Sequence, residues 1–113
     1  MKERTDAFIK AGKAFSICAN QPQLQQKERV AYYAGAGECF VRGHRFKEAG
    51  SHFVDAGKYT KAACTYQKGC HFDEMADVLE EHADQIEAKL LAKLTKVAKI
   101  NYFKVSKPST IRR

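Results

Sequence analysis

One arrangement of apolar positions recurs along this chain: an aromatic residue, two spacers, a pair of small residues, two spacers and a second large apolar residue. The copies occupy residues 33–40, 46–53, 59–66 and 72–79, each beginning 13 residues after the last, and a separate copy occupies 8–15; the copy at 72–79 has Met75 in place of the first small residue. Positions three, four and seven residues apart lie on one face of an α-helix, so each copy predicts an amphipathic helix. The constant spacing predicts similar helices packed in series.

Glycine, asparagine and proline residues separate the predicted helices. The predicted helices are 5–18, 23–42, 46–56, 59–68 and 73–85. Pro22 ends the first helix because proline cannot continue one. For the stretch 86–103, which is also predicted to be helical, the sequence allows either continuation from the fifth helix or a bend.

The glycines fall into two predicted classes. Gly43, Gly57 and Gly69 follow helices and are predicted to be C-terminal caps with positive φ. Gly37 and Gly50 lie inside helices, where glycine costs roughly 1 kcal/mol relative to alanine. We therefore expect these two positions to be points of close helix–helix contact.

No segment alternates convincingly with a period of two, so the predicted fold class is all-α. Short helices joined by turns of two to four residues should pack antiparallel to their neighbours, as hairpins stacked into a right-handed solenoid. The rings expected in one continuous core are Phe46, Phe53, Tyr59, Tyr66 and Phe72. We assign residues 1–105 to this domain, including a basic C-terminal helix at about 86–103, and residues 106–113 to a disordered basic tail.

The stretch Phe46-x-x-Ala49-Gly50-x-x-Phe53 followed by Tyr59-x-x-Ala62-x-x-x-Tyr66 resembles the tetratricopeptide (TPR) motif. Two features depart from that family: the unit has 13 residues per helix, and Glu74 stands where the motif has proline. The segment 43–50 is similar to soluble attachment proteins and to the helical arrays of TPR-and-ankyrin-repeat proteins with a UvrD-like helicase region. This resemblance, over about residues 30–80, implies a TPR-like solenoid that serves as a protein-binding scaffold.

Charge is unevenly distributed along the chain. The net charge is +7, and the last 28 residues alone carry eight basic side chains and one acidic side chain. Five lysines in this region are candidate contacts for a polyanion or an acidic partner: Lys89, Lys93, Lys96, Lys99 and Lys104. Alternatively, this helix caps the solenoid with its apolar stripe and keeps that end soluble with its lysines. The acidic residues Glu80, Glu81 and Asp84 are predicted to form a solvated face.

The leading functional hypothesis is a non-catalytic helical-repeat scaffold for protein–protein interaction, as a module of a larger protein. Five basic residues between core positions are candidate groove contacts for a protein or peptide partner: Arg45, Lys47, Lys58, Lys61 and Lys68. The alternative is a nucleic-acid-associated accessory module of a helicase-like protein, which would use the basic C-terminal helix. Oligomerisation through that terminal helix also stays open.

Several kinds of chemistry find no support in the residue spacing. Cys64, Cys70 and His71 lack the Cys-x-x-Cys spacing typical of zinc sites, and Gly57-Lys58 lacks the remaining residues of a phosphate-binding loop. We therefore predict no catalytic residue, no metal, no cofactor and no enzymatic activity, and reduced cysteines. No apolar run reaches the ~20 residues of a transmembrane helix and the N-terminus lacks a signal core, which predicts an intracellular protein, cytoplasmic or nuclear.

Overall fold

The computed structural model describes the backbone of residues 2–110 and the side chains of residues 4–101. This part of the chain contains six α-helices and, between the last two, a short 3₁₀ helix. The helices are α1 (Lys2–Ala19), α2 (Gln26–Arg42), α3 (Phe46–Asp55), α4 (Tyr59–Lys68), α5 (Phe72–Glu81) and α6 (Ala88–Thr110). No strand occurs within residues 2–110, so the all-α prediction is confirmed.

The turns that follow α2, α3 and α4 share one backbone conformation at 13-residue intervals. In each turn the residue before the next helix donates its N–H, at 2.8 Å, to a carbonyl five residues earlier: Arg45 to Phe40, Lys58 to Phe53 and His71 to Tyr66. One residue before each donor, φ is positive: 61° at His44, 76° at Gly57 and 61° at Cys70. Such six-to-one bonds satisfy carbonyls that a helix end leaves free.

The prediction of positive φ at Gly43 and Gly69 is wrong. Their φ angles are −88° and −91°, because the left-handed residue of each turn lies one position later. Both positions are glycine because a side chain has no room there. A Cβ added to Gly43 would lie 2.7 Å from Cγ1 of Ile9, and one added to Gly69 would lie 2.5 Å from Cβ of Phe46. Only Gly57 has the predicted positive φ.

One glycine in each of the first three helices lies directly against an aromatic ring of the following helix, whereas Gly35 of α2 faces Phe15 of the preceding helix. An added Cβ would approach that ring to 3.1 Å for Gly12 and Phe40, 2.7 Å for Gly37 and Phe53, and 2.5 Å for Gly50 and Tyr66. We call this series the glycine–ring ladder. It confirms Gly37 and Gly50 as residues of close helix contact. It also allows each of the first three helices to lie close to the next.

In the copies at 46–53 and 59–66 the second ring is more deeply buried than the first, whereas in the separate copy at 8–15 Phe8 is partly buried and Phe15 is 37% exposed. Phe53 is 2% exposed and Tyr66 6% exposed, whereas Phe46, Tyr59 and Phe72 are half-buried. Of the five rings predicted in one core, Phe53 and Tyr66 lie in it, and Tyr59 and Phe72 are partly buried and pack against it. Phe46 is partly buried. Each half-buried ring is the first residue of its helix, where the preceding turn leaves one side open to solvent.

Consecutive helices make the extensive contacts in the described chain. Alternate helices are also connected through polar side chains. Nε2 of His52 in α3 lies 2.9 Å from Oγ of Ser16 in α1, and Nζ of Lys47 in α3 lies 3.5 Å from a carboxylate oxygen of Glu74 in α5. Helix α3 therefore makes polar contacts with α1 and α5, which are not its neighbours in sequence.

The chain bends before its last helix. Ala83–Gln85 form the 3₁₀ helix and Ile86 is extended, with φ −115° and ψ 138°, so α5 does not continue into α6. Leu94 and Ala98 are buried on the inner face of α6. The backbone is helical through Thr110 and thus includes residues 106–110 of the segment assigned to a tail; residues 111–113 lie outside the described part.

Candidate functional site

An open groove of about 680 Å³ lies between α5 and α6. Alanine and leucine side chains form its floor: Ala76, Leu79, Ala83, Leu91 and Ala98. Three carboxylates line the wall on α5: Asp73, Asp77 and Glu80. Thr95 and Lys99 line the wall on α6. We call this feature the α5–α6 groove; it combines an apolar floor with one acidic wall.

The acidic wall follows from the helical spacing on α5. Asp73, Asp77 and Glu80 are four and three residues apart, which places them on one face over two helical turns. All three are exposed, and none forms an ion pair with another described residue. The groove therefore presents three carboxylates that have no ion-pair partner among the described residues, with Lys99 as the basic residue on the opposite wall.

The negative potential of α5 also acts on a buried phenol. Burial raises the pKa of Tyr66 above its ordinary value, and the carboxylates of Glu74, Asp55 and Asp77 raise this pKa further. Asp77 thus belongs both to the acidic wall and to the charges that act on Tyr66. The carboxylates of α5 act on a core residue as well as on the groove.

The groove lies beyond the end of the glycine–ring ladder, whose last step is Gly50 of α3 against Tyr66 of α4. Gly50, Ala63 and Ala76 hold the same position in successive copies of the motif, 13 residues apart. The ring of Tyr66 covers Gly50, and Ala63 is fully buried, but Ala76 is only partly buried and lines the groove. The residue 16 positions after Ala63 is Leu79, so the ring is already replaced at that step. Helix α6 begins after the bend at Ile86 and no longer follows the 13-residue period, and none of its residues lining the groove is aromatic.

The lysines predicted as polyanion contacts are divided between two places on α6. Lys89, Lys93 and Lys96 are exposed on one face, four and three residues apart, and none forms an ion pair with another described residue. Lys99 lies to one side and lines the α5–α6 groove. The predicted contact Lys104 lies outside the residues whose side chains are described. We call the first three residues the lysine face of α6.

Three of the basic residues predicted as groove contacts lie at the N-terminal ends of α3 and α4. Arg45 forms a surface ion pair with Glu48 at 3.1 Å, within one turn of α3. Lys47 pairs with Glu74 of α5. Lys58 is exposed at the turn before α4. Two of these basic groups thus already contact carboxylates of the chain itself.

The structure brings the other two predicted groove contacts together. Lys61 and Lys68 line a smaller groove of about 240 Å³ between α2 and α4. The ammonium group of Lys61 forms an ion pair with Glu38 of α2, which lines the same groove. A role for these five basic residues in partner binding stays a prediction.

The cysteines carry free thiols. Burial raises the pKa of the Cys39 thiol, an effect that Arg42 partly opposes, so this thiol stays protonated at neutral pH. Among the described side chains, no group of three or more histidine, cysteine, aspartate or glutamate residues is placed to hold a metal ion. No helix in that part of the chain is long and apolar enough to cross a membrane.

Sequence analysis did not identify the acidic wall. It grouped Glu80 with Glu81 and Asp84 as a solvated face, although Asp73, Asp77 and Glu80 have the four-and-three spacing of one helical face. The second available indication was residue 92, where the 13-residue pattern would place a large apolar residue and the sequence has alanine. Finding the groove itself required the position of α6, which the spacing alone does not determine.

Comparison of the chain with protein-family models, curated proteins and solved structures gives no match.

Proposed function

We propose that this chain is a non-catalytic, TPR-like helical-repeat module that binds a segment of another protein in the α5–α6 groove. The observation that carries this proposal is the groove, whose apolar floor is open to solvent between charged walls. Protein segments in helical form bind such grooves by placing apolar side chains on the floor. At about 680 Å³ the groove has the volume typical of ligand sites.

The repeated backbone geometry supports a TPR-like stacking of the helices. The turns after α2, α3 and α4 are alike, and the glycine–ring ladder joins each of the first three helices to the next. Solenoid proteins have repeats that contact mainly their sequence neighbours and leave extended binding surfaces. The resemblance of residues 30–80 to the TPR motif agrees with this arrangement.

Selection of displayed peptides tests the proposal. Peptides selected on the 113-residue protein should lose at least tenfold in affinity on Ala76→Phe, because the added ring occupies the groove. Ala31→Phe on the exposed surface of α2 is the matched control and should leave affinity unchanged. Amide resonances of α5 and α6 should shift on peptide addition. Failure to select any peptide, or selection of peptides that bind both variants equally, would overturn the proposal.

The lysine face of α6 favours a second candidate function, a nucleic-acid-associated accessory module. Three lysines that are exposed on one face, with no ion pair to another described residue, can contact phosphates without recognising the base sequence. Affinity for a single-stranded oligonucleotide should then fall steeply with salt. Replacing Lys89, Lys93 and Lys96 by glutamine should reduce the slope of log K against log salt by about 2, from ~0.7 per phosphate contact.

A control with the same change in charge separates a specific surface from net charge. Replacing Lys10, Lys13 and Lys27, which are exposed on α1 and α2, by glutamine removes three positive charges elsewhere. Equal loss of oligonucleotide affinity in the two triple variants would assign binding to net charge alone. Absence of binding at low salt would exclude this second candidate.

A further inference from the structure

We infer that the occupant of the α5–α6 groove is a basic amphipathic helix of a partner protein, whose large apolar side chain covers Ala76. This inference rests on the proposed function and adds the chemistry of the partner. It combines two features of the groove: the partly buried Ala76 on its apolar floor and the acidic wall of α5.

The shape of the groove determines the apolar part of the occupant. In the ladder each small residue is covered by a ring from the next helix, as Tyr66 covers Gly50. Ala76 holds the corresponding position on α5 but lines an open groove with Leu79 and Leu91. A phenylalanine or leucine from a helix laid along the groove would pack on this floor and extend the pattern of contacts by one step. Burial of that side chain provides the anchor.

The acidic wall determines the charge of the occupant. Asp73, Asp77 and Glu80 extend over seven residues of α5, which is about 10 Å along the helix axis. Lysine or arginine residues four and three positions apart on a bound helix have the same spacing and can face these carboxylates. An acidic helix would instead place like charges against them, which opposes binding. Lys99 on the other wall leaves room for one acidic residue in the partner.

The described helices of the chain itself are poorer occupants. The lysine face of α6 has the right charge, but among the side chains of α6 that the structure describes the exposed large apolar one is Ile100, which is 54% exposed. Helix α1 has Lys10, Lys13 and an exposed Ile17 on one face. Binding of α1 to the groove of a second copy would make the protein a dimer, a ring or an open filament, an outcome that sedimentation detects. A separate partner is therefore the occupant that we infer.

Three synthetic helical peptides test the inference on the 113-residue protein. The first, of ~15 residues or about four helical turns, has one central phenylalanine and three flanking lysines spaced four and three apart. The second replaces the phenylalanine by alanine, and the third replaces the lysines by glutamates. Titration calorimetry should give the tightest binding for the first peptide, with at least a tenfold loss for each of the others.

Matched protein variants locate the charge contact. Asp77→Asn/Glu80→Gln should weaken binding of the basic peptide at least fivefold and reduce its salt dependence. Asp6→Asn/Glu28→Gln removes two exposed negative charges from α1 and α2 and should leave binding unchanged. Circular dichroism of each variant checks that it is folded before its binding is compared. Equal effects of the two double variants would overturn the inferred charge contact.

The remaining outcomes separate the partner chemistry from the proposed function. If the glutamate peptide binds as tightly as the lysine peptide and loses affinity on Ala76→Phe, the groove binds proteins but the inferred basic partner is wrong. If none of the three peptides binds, this inference fails while the display selection still decides the proposed function. If sedimentation shows oligomers that Ala76→Phe dissociates, a second copy is the occupant and the inference is overturned.

Discussion

A Cβ atom added to Gly50 of α3 would lie 2.5 Å from Cε1 of Tyr66 in α4. Tyr66 is itself 6% exposed, so its ring has little room to move away. The absence of a side chain at Gly50 is therefore what allows the two helices to approach this closely. The same relationship joins Gly37 to Phe53.

Replacement of Gly50 by alanine should destabilise the protein although alanine favours helix. The helix gain is about 1 kcal/mol, and crowding against Tyr66 should exceed it, for a net loss of about 1–3 kcal/mol. Gly35→Ala is the control, because its Cβ would lie 3.3 Å from the half-exposed ring of Phe15 and should be tolerated. Urea denaturation measures both. Equal stability of the two variants would contradict the ladder.

Introducing glycine at one left-handed turn residue should stabilise the protein, and removing glycine at another should destabilise it. Cys70 has φ 61°, which costs a non-glycine residue about 1 kcal/mol, so Cys70→Gly should stabilise by up to that amount while Cys70→Ala should not. Gly57→Ala should destabilise by about 1 kcal/mol through the same strain, since the space around Gly57 is open. Thermal denaturation of the three variants checks the signs. A stabilising Gly57→Ala would contradict the assigned backbone conformation.

Truncation of the buried ring at Phe53 should be far more costly than truncation at Phe15. Phe53 is 2% exposed at the centre of the core, whereas Phe15 is 37% exposed. Phe53→Ala should lose about 3–5 kcal/mol and largely unfold a domain of marginal stability. Phe15→Ala should keep a cooperative transition close to that of the unmodified protein. A Phe53→Ala variant that melts within a degree or two of wild type would disprove the core assignment.

Stability should fall at alkaline pH because of Tyr66. Burial, together with Glu74, Asp55 and Asp77, raises the folded-state pKa of this phenol above the unfolded value of about 10. The unfolded chain then ionises first, so the stabilisation is complete below pH 10 and is lost as pH rises through the folded-state pKa. Tyr66→Phe should show a smaller loss of stability between pH 9 and about 11. An identical pH profile for this variant and wild type would contradict the shift.

Helix α6 should stabilise the domain through its inner face. Leu94 is 1% exposed and Ile100 on the same helix is 54% exposed. Leu94→Ala should cost about 2–5 kcal/mol, while Ile100→Ala should cost less than about 1 kcal/mol. Denaturant titration of the pair measures the difference. Near-equal stabilities would show that α6 is an independent arm rather than part of the packed domain.

Local sequence determined the helices and most of their ends. The three-four-seven spacing predicts α4 at Tyr59–Lys68 as observed, and it predicts the start of α3 at Phe46. Helix formation depends on residues within one or two turns, and so do the glycine and proline positions that end a helix. The interior glycines also indicated close contact, because a helix keeps glycine at a cost only where something offsets it.

Tertiary packing decided which residues are buried and where the groove lies. Phe46 and Phe53 belong to the same apolar face of α3, yet only Phe53 is covered on all sides, because its neighbours come from other helices. The bend at Ile86 directs α6 away from the 13-residue period and leaves Ala76 without a covering ring. Both outcomes depend on contacts between residues distant in the chain, and a local pattern of apolar positions does not specify them.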